Sequence, residues 1–450
     1  MNSSRRIVII GAGPAGIATA LRLRQLGFAD LTVVEAGDQT APKIGETLTP
    51  PCQQELQALG VWPDFLADAH LPASLTGAAW GSAHVEFNDF IFRPVGRGWH
   101  LDRARFDRRL TAFAEERGIV VHRRTRLTRS IRQAAGWQLE LVESGGAPRL
   151  ADCDFVVDAS GRKAVFARAQ GAESLHFHEL FACHRCFAVP ISAPTPAGHT
   201  LVESVPDGWW YSARLPDDRF VAAFMTDGGT VRSRHTHKPA GWQGALADGT
   251  HTAARLRHLA PAGPVQVTPA HSHLLDSVHG GRWLAVGDAA AAYDPLSSMG
   301  IHQALCGGIA AAEAIAAQFG GDADALPRYA RSLRRFHDRY LEVKAAYYGI
   351  ERRWPEQPFW AARRPKIYLS PHSRLRAVDV SPSASVNRHL GARAQAELAR
   401  KCLRSRPAHE VVAEFQREHP DRYSDLQVIL ALQHAIERHQ LAVEASASPA

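Results

Sequence analysis

The sequence predicts an α/β fold carrying a β-rich insert and a helical C-terminal part, and three patterns predict it. The apolar run Arg5–Ile10 turns through glycines into a helical stretch from Ala15 to Leu26, and LTVVE follows at 31–35, which makes a βαβ unit. From about Leu75 to Leu101, and again over 176–226, short alternating segments separated by Gly and Pro replace that pattern and read as antiparallel strands. Beyond 327 an amphipathic helical pattern runs to about 348, and the tail 402–443 reads as two or three short helices. Between these, 105–118 reads as a helix, IVVHRR, WQLELVE and DFVVDAS as strands, 227–274 as loop-like, and 301–319 as a long helix of small residues. Repeats of fixed period are absent.

The bulk numbers set the frame. A chain of 450 residues is long enough for two or three packed units without disulfide staples. No uninterrupted apolar run reaches the roughly 18 residues of a membrane span, so no membrane role is expected. The run after Arg5 and Arg6 breaks at Gly11-Ala-Gly13, which favours a buried strand over a signal peptide and a cytoplasmic setting. The six cysteines are scattered; Cys183 and Cys186 are the one close pair, read as reduced thiols on a strand, and no metal site is expected. The net charge of +7 comes from arginine, with 46 Arg against 6 Lys dispersed along the chain, and no nucleic-acid motif accompanies it.

Gly11-Ala-Gly13-Pro14-Ala15-Gly16 matches G-x-G-x-x-G in the context that gives it meaning. It follows a strand and opens a helix, and Glu35 closes the next strand 19 residues after Gly16. Gly11 suits the tight turn, Gly13 the approach of a pyrophosphate, and Gly16 close helix–sheet packing. Pro14 suits the first helical turn, whose N–H groups and dipole favour phosphate. Glu35 is expected to accept hydrogen bonds from ribose hydroxyls. The fingerprint alone does not separate NAD from FAD.

Two later segments do so by resemblance. Asp154-Phe-Val-Val-Asp158-Ala-Ser-Gly161-Arg162 resembles the Asp-Gly segment of flavin monooxygenases. Trp283-Leu-Ala-Val-Gly287-Asp288, continuing to Asp294-Pro295-Leu-Ser-Ser-Met299-Gly300-Ile301, is similar to their Gly-Asp motif. The resemblance implies FAD in a Rossmann-like domain of the glutathione-reductase and p-hydroxybenzoate-hydroxylase type. Asp288 would hold the ribityl chain, and Pro295, Met299, Gly300 and Ile301 would bring N–H groups to the isoalloxazine. Arg105, in Trp99-His-Leu-Asp-Arg103-Ala-Arg105, matches the family's flavin-proximal arginine, and Asp158 and Gly161 would complete the site. The implied division is an FAD domain from 1–75, 102–175 and 275–345, a β-rich substrate domain from 76–101 and 176–274, and a helical region from 346–450.

Lys43-Ile-Gly45-Glu46-Thr47-Leu-Thr-Pro50 resembles the Gly-Glu-x-x-x-Pro segment of the tryptophan-halogenase-like branch, so Lys43, Gly45, Glu46 and Thr47 would run past the flavin. Two departures argue against halogenation. The relay lysine expected some thirty residues past Gly-Glu is missing, because no lysine lies between Lys43 and Lys163. Trp209-Trp210-Tyr211-Ser-Ala-Arg-Leu-Pro stands where halogenases carry Trp-x-Trp-x-Ile-Pro. GETLTPP, GWHLDRARFD, GDAAAAYDPLSS and Tyr347-Tyr-Gly-Ile-Glu351-Arg-Arg-Trp354-Pro resemble the flavoprotein maturases of tryptophylquinone enzymes. That resemblance implies hydroxylation, through a C4a-hydroperoxyflavin, of a tryptophan in a partner polypeptide.

The expected co-reactants are O2 and a source of reducing equivalents, NAD(P)H or a flavin reductase. Trp80, Phe90, Phe92, Trp209, Trp210 and Tyr211 are candidates for the pocket wall, while Trp354, Phe359 and Trp360 read as C-terminal packing against the FAD domain. Glu46, His84, His100 and Asp294 are candidate proton handlers, and no catalytic residue is singled out among them. The competing readings are a hydroxylase of a free or carrier-bound phenol, pyrrole or indole, a halogenase, an isoprenoid reductase, and an FAD-containing maturation scaffold.

Overall fold

The computed structural model describes residues 4–41, 43–89, 96–190, 198–363, 369–378, 389–420 and 422–444. A six-stranded sheet forms the spine, with Arg6–Ile10 at its centre. Phe155–Asp158 and Asp30–Val34 pair in parallel on either side of it, and Trp283–Ala285 and Val120–His122 extend the parallel order outward. These strands are near-continuous apolar runs because helices cover the sheet. Ile7, Ile9, Val33 and Val157 are at most 1% exposed.

The first helix spans Pro14–Gln25, and the long small-residue helix spans Gly300–Phe319. They cross where Gly308 leaves no room for a Cβ, which would stand 2.7 Å from both Ala15 O and Ala18 Cβ. The alanine-rich face of the second helix is therefore a packing requirement. An antiparallel three-stranded sheet, Thr125–Gln133, Gly136–Glu143 and Pro148–Cys153, forms the crossover between the outer and central parallel strands.

The β-rich insert is an eight-stranded sheet. Leu75–Ala79 and Glu86–Asp89 supply one edge, and Thr200–Val205, Gly208–Leu215, Arg219–Thr226 and Phe181–Ala188 follow in order. Residues 227–274 are not loop-like throughout: they form the short helices Gly228–Ser233, Pro239–Leu246 and Thr250–Leu256, which cover one face of this sheet, and the strands Gln266–Pro269 and Ser272–Leu275. Asp227 starts the first of them by accepting the Thr230 N–H at 2.8 Å. Phe90 and Phe92 lie outside the described residues.

The helix Ala325–Ile350 leads into the C-terminal region, whose helices Ala392–Lys401, Ala408–Glu418 and Asp425–Glu437 share a separate apolar core. Ser424 caps the last of these in a reciprocal box with Gln427. No described helix is long and apolar enough to cross a membrane.

Candidate active site

At one end of the site the glycine fingerprint does what its spacing requires. Gly11 sits at φ +110°, and a Cβ there would stand 2.2 Å from Ala159 O. A Cβ on Gly16 would stand 2.0 Å from Gly11 O, so both glycines are packing positions. Gly13 differs: no atom lies within 4 Å of its Cβ position, and no side chain caps the helix it opens. An uncapped helix N-terminus facing open space suits a pyrophosphate. Glu35 Oε2 accepts the Ala12 N–H and Oε1 the Gly37 N–H, both at 2.8 Å, which braces the turn and leaves further acceptor capacity for ribose hydroxyls.

Asp158 has a different task from the expected flavin contact. It is fully buried and takes four hydrogen bonds, from Ser160 N and Oγ at 3.0 and 2.6 Å and from Phe166 N and Ala167 N at 2.8 Å each. The carboxylate shapes the loop that Gly11 packs against. Gly161, in that loop, has a φ of +69° and open space at its Cβ position.

The second end is built around Gly287 and Asp288. Gly287 has a φ of +61°, and a Cβ would stand 2.5 Å from Ala15 Cβ, which ties this turn to the fingerprint helix. Asp288 lies deep in the molecule, yet its side chain keeps 41% accessibility. Burial raises its pKa, opposed by the charges of Arg162 and Arg103; Arg162 Nε is 3.6 Å from Oδ2. After it, Pro295–Ser297 form a 3-10 turn, Ser298 takes the left-handed conformation, and Met299 precedes the helix without a side-chain cap. Gly300, like Gly13, has nothing within 4 Å of its Cβ position, and Ile301 is buried behind it. Two uncapped helix starts with open glycines, and an accessible carboxylate deep in the protein, fit a dinucleotide carrying a flavin.

The strap 43–47 runs between this cleft and the insert. Lys43 Nζ pairs with the buried Asp107 at 2.7 Å, and Arg103 donates to Gly45 O at 2.8 Å. Arg103, whose charge also reaches Asp288 and Glu46, is the arginine the sequence reading passed over. Arg105 instead donates to Asp68 O at 3.0 Å and pairs with Asp217 of the insert. Two residues along a helix are about 200° apart, so the pair serves opposite sides.

Glu46 is 4% exposed, and burial pushes its carboxyl up to about 7. Its Oε2 accepts the Gly45 N–H at 3.0 Å, and Tyr211 stands beside it at the head of a chain of hydroxyls. From Tyr211 the chain continues through Thr47 Oγ1 at 3.0 Å, Thr200 Oγ1 at 3.4 Å and His100 Nε2 at 2.8 Å. Burial lowers His100 to about 4, so it is neutral. His84 is exposed on a turn and takes no part.

Strand alternation divides the aromatic wall. Trp209 lies on the face with Trp80, Tyr348, Phe359 and Trp360, and Ile44 and Leu296 pack at its edge. Its indole N–H donates to the Tyr348 hydroxyl at 3.1 Å. Trp210 lies on the other face, stacked on Phe224 at 5.0 Å and edge-on to Trp242 at 4.9 Å, and so belongs to the insert's own core. Phe359 and Trp360 pack on the insert rather than on the dinucleotide domain, with Trp360 Nε1 donating to Val205 O at 2.9 Å. Cys183 is buried beside Thr236, while Cys186 turns toward Tyr211, so the two thiols do not meet.

A polar group forms around Asp294 whose members, far apart in the chain, carry no local sequence signal. Asp294 is 2% exposed; Tyr348 Oη donates to its Oδ2 at 2.9 Å and Lys344 Nζ stands 3.5 Å away. Lys344 also donates to Ser272 Oγ at 3.0 Å, and Tyr340 Oη accepts the Asp294 N–H at 2.7 Å. Burial lowers the Lys344 pKa and Asp294 opposes it. Nearby, His176, His271 and His273 cluster with ring centroids 4.8–6.4 Å apart, all lowered by burial and then by Arg162 or Arg168.

The chain is similar to known flavin-dependent proteins. The family model for tryptophan halogenase matches residues 6–87 and 85–426. A putative FAD-dependent oxidoreductase, LodB of Marinomonas mediterranea, is 30% identical over 368 residues, covering 79% of this chain and 96% of its own. Tryptophan 2-halogenase of Chondromyces crocatus is 25% identical, covering 80% and 71%. Among solved structures, the myxobacterial chondrochloren halogenase CndH superposes with a TM-score of 0.74 at 21% identity, over 80% of this chain and 86% of its own. The peptidyl tryptophan dihydroxylase QhpG superposes with a TM-score of 0.62 at 24% identity, over 97% and 99%. At these identities the structural likenesses establish the fold.

Proposed function

Since the chain belongs to the tryptophan halogenase family and is an FAD-dependent oxidoreductase, we propose that it hydroxylates an electron-rich aromatic ring, a tryptophan in a partner polypeptide during tryptophylquinone formation. The observation that carries this reading is the buried acid Glu46, poised near neutrality beside Tyr211. Its carboxylate form suits proton removal. No lysine between Lys43 and Lys163 offers the amine that halogen transfer needs.

Gly11, Gly13 and Gly16 with Pro14, Ala15 and Glu35 would hold the adenosine and pyrophosphate half of FAD. Asp288 would accept from the ribityl hydroxyls, and the N–H groups at Pro295–Ile301 would face the pyrimidine edge. Arg103 takes the position between Gly45 and Asp288 that Arg105 was expected to fill. Bound and reduced FAD supplies the activation of O2, drawing on NAD(P)H or a separate reductase.

The chain's own residues do the rest. Trp80, Trp209, Tyr348 and Trp360 form an apolar wall that excludes water from the reacting ring. Ionised Glu46 accepts the proton the ring loses when aromaticity is restored, and the hydroxyls of Tyr211, Thr47 and Thr200 with neutral His100 form a fixed hydrogen-bonded row beside it. The polypeptide substrate rests on the motif likeness to the maturases of tryptophylquinone enzymes, since the extent of the QhpG superposition is shared by the flavin-dependent halogenase CmlS.

The test is to incubate the FAD-loaded protein, a flavin reductase, NADH and O2 with a tryptophan-bearing partner peptide, with chloride and bromide present. A mass gain of one or two oxygen atoms on the tryptophan is expected. A halogenated product, or turnover of free phenols and pyrroles with none on the peptide, overturns the proposal.

A further inference from the structure

Away from the proton chain, three ligand-type side chains converge between two helices. Glu55 lies on the helix Cys52–Ala58, which directly follows the strap. His302 and Cys306 lie one turn apart on Gly300–Phe319, the helix whose first turn faces the flavin site. Cys306 Sγ is 3.2 Å from Glu55 Oε1 and 3.3 Å from His302 Nε2, and Nε2 is 3.5 Å from Oε1. All three are partly buried, and Glu55 Oε2 is enclosed without a hydrogen-bond partner.

A thiol, an imidazole and a carboxylate in contact are open to a catalytic-triad interpretation, and the geometry decides against it. In a triad the base uses one ring nitrogen for the nucleophile and the other for the acid. Here the thiol and the carboxylate both address Nε2. Hydrogen bonding alone also leaves the cluster incomplete, because the S–H and the Nε2–H tautomer of His302 both serve Oε1 and Oε2 has no donor. Three donor atoms converging on one point are what a cation requires. Zinc bonds of about 2.3 Å to sulfur and about 2.0–2.1 Å to nitrogen or oxygen place neighbouring tetrahedral ligands roughly 3.3–3.6 Å apart. Two of the three observed separations, 3.3 and 3.5 Å, lie inside that interval and the third, 3.2 Å, lies just below it.

We propose that Glu55, His302 and Cys306 form a mononuclear zinc site whose fourth ligand is solvent. The mixed sulfur, nitrogen and oxygen set selects a borderline-soft divalent ion over calcium or magnesium. Binding releases the Cys306 proton to solvent and leaves a thiolate on the metal, with no change of oxidation state. In the metal-free chain, burial followed by Glu55 raises the Cys306 thiol well above its ordinary value, and a cation reverses that sign. The ion joins the strap-bearing segment to the helix that opens at Gly300. Its role is therefore to fix the distance between the two sides of the flavin cleft.

The experiment uses the full FAD-loaded chain, stripped with a chelator and titrated with Co(II). One equivalent is expected to bind, with thiolate-to-cobalt charge transfer in the near ultraviolet and four-coordinate bands to the red of the flavin absorption. Zn(II) is expected to displace it. Cys306→Ser should abolish the charge-transfer band, and Glu55→Gln and His302→Gln should each weaken binding about tenfold or more. Cys402→Ala, whose thiol lies in the C-terminal core, should leave the titration unchanged. Retained flavin absorbance and far-ultraviolet circular dichroism verify folding. If Cys306→Ser does not fold, zinc content after growth in zinc-supplemented medium decides the matter: one equivalent in the unsubstituted chain, and no more than half of that in Glu55→Gln, His302→Gln or both. The proposal is overturned by the absence of saturable Co(II) uptake, by a thiolate band that survives Cys306→Ser, or by zinc content unaffected in both of the other variants.

Discussion

Replacing Glu46 with glutamine removes one proton site while keeping the side chain's shape. The native carboxyl titrates at about 7, against 4.5 for an unburied glutamate. The native state therefore binds the proton more tightly than the unfolded chain does. That contribution is fully present below the unfolded pKa and is lost as pH rises through about 7. A shift of this size is worth roughly 3 kcal/mol at most. For a chain of this length unfolding as one unit, that corresponds to about 3 °C in melting temperature. Melting curves of wild type and Glu46→Gln, both saturated with FAD, are measured from pH 5 to 8.5. The wild type should lose about 3 °C relative to the variant across that range. The pH profile of hydroxylation should show an inflection near 7 that the variant lacks. Parallel melting curves would refute the buried titration, and an unaltered kinetic inflection would refute the proton-handling role even if the melting curves diverge.

The two kinds of glycine predict opposite outcomes. Gly13→Ala meets open space and should keep the apo fold while weakening FAD binding at least tenfold by fluorescence titration. Gly16→Ala meets a carbonyl at 2.0 Å and should lose about 1–3 kcal/mol of stability before any cofactor is added, read by denaturant melts. Lys344→Met strands the buried Asp294 and should destabilise by about 3–5 kcal/mol, while Lys344→Met with Asp294→Asn should recover part of that loss. Trp210→Ala should lose about 3–5 kcal/mol with little change in substrate preference. Trp209→Phe, deprived of its bond to Tyr348, should lower turnover more than stability. Acid should act through the buried histidines His70, His100 and His271, which titrate at about 4. Their contribution is complete above the ordinary value of 6.5 and is lost as pH falls toward 4, so Glu46 opposes but does not outweigh them. A thermal-shift series over that window should slope downward toward acid.

What was legible in the sequence is what depends on local backbone chemistry. Gly11 and Gly16 are needed because a Cβ would strike a neighbouring carbonyl, and a spacing of five residues with a strand before and a helix after is enough to say so. Side-chain direction is less local. The motif placed Asp158 at a strand end, but whether its carboxylate turns to the cleft or into the following loop depends on four donors that only the fold brings to it. Arg103 and Arg105 are both arginines of one motif on one helix, and only the positions of Gly45 and Asp217 tell them apart. The alternation of Trp209 and Trp210 was readable, but not which face meets the C-terminal region. The helices between 228 and 256 escaped because six to eight residues leave too little periodicity to detect. Long-range pairs were beyond reach: Lys344 meets Asp294 across 50 positions of chain, and Glu55 meets Cys306 across 251.

The C-terminal region is fastened to the insert and is not an appendage to it. Its entry segment is fastened to the insert at four points. Trp80 Nε1 donates to Tyr347 O at 2.8 Å, Gly81 N to Glu351 at 2.9 Å, Ser204 Oγ to Glu351 at 2.6 Å, and Trp360 Nε1 to Val205 O at 2.9 Å. Glu351 is fully buried, and its carboxyl is held down at about 2: burial opposes ionisation, but Arg353, Ser204 and Gly81 outweigh it. That ionised anchor keeps Tyr348 against Trp209 on one side and Asp294 on the other. Asp294 in turn caps the turn that leads to Gly300 by accepting the Leu296 N–H at 3.0 Å. The insert, the C-terminal helix and the turn at Pro295 are thus joined through one tyrosine. Displacing residues 347–360 would therefore move the aromatic cluster around Trp209 and the turn at Pro295 together.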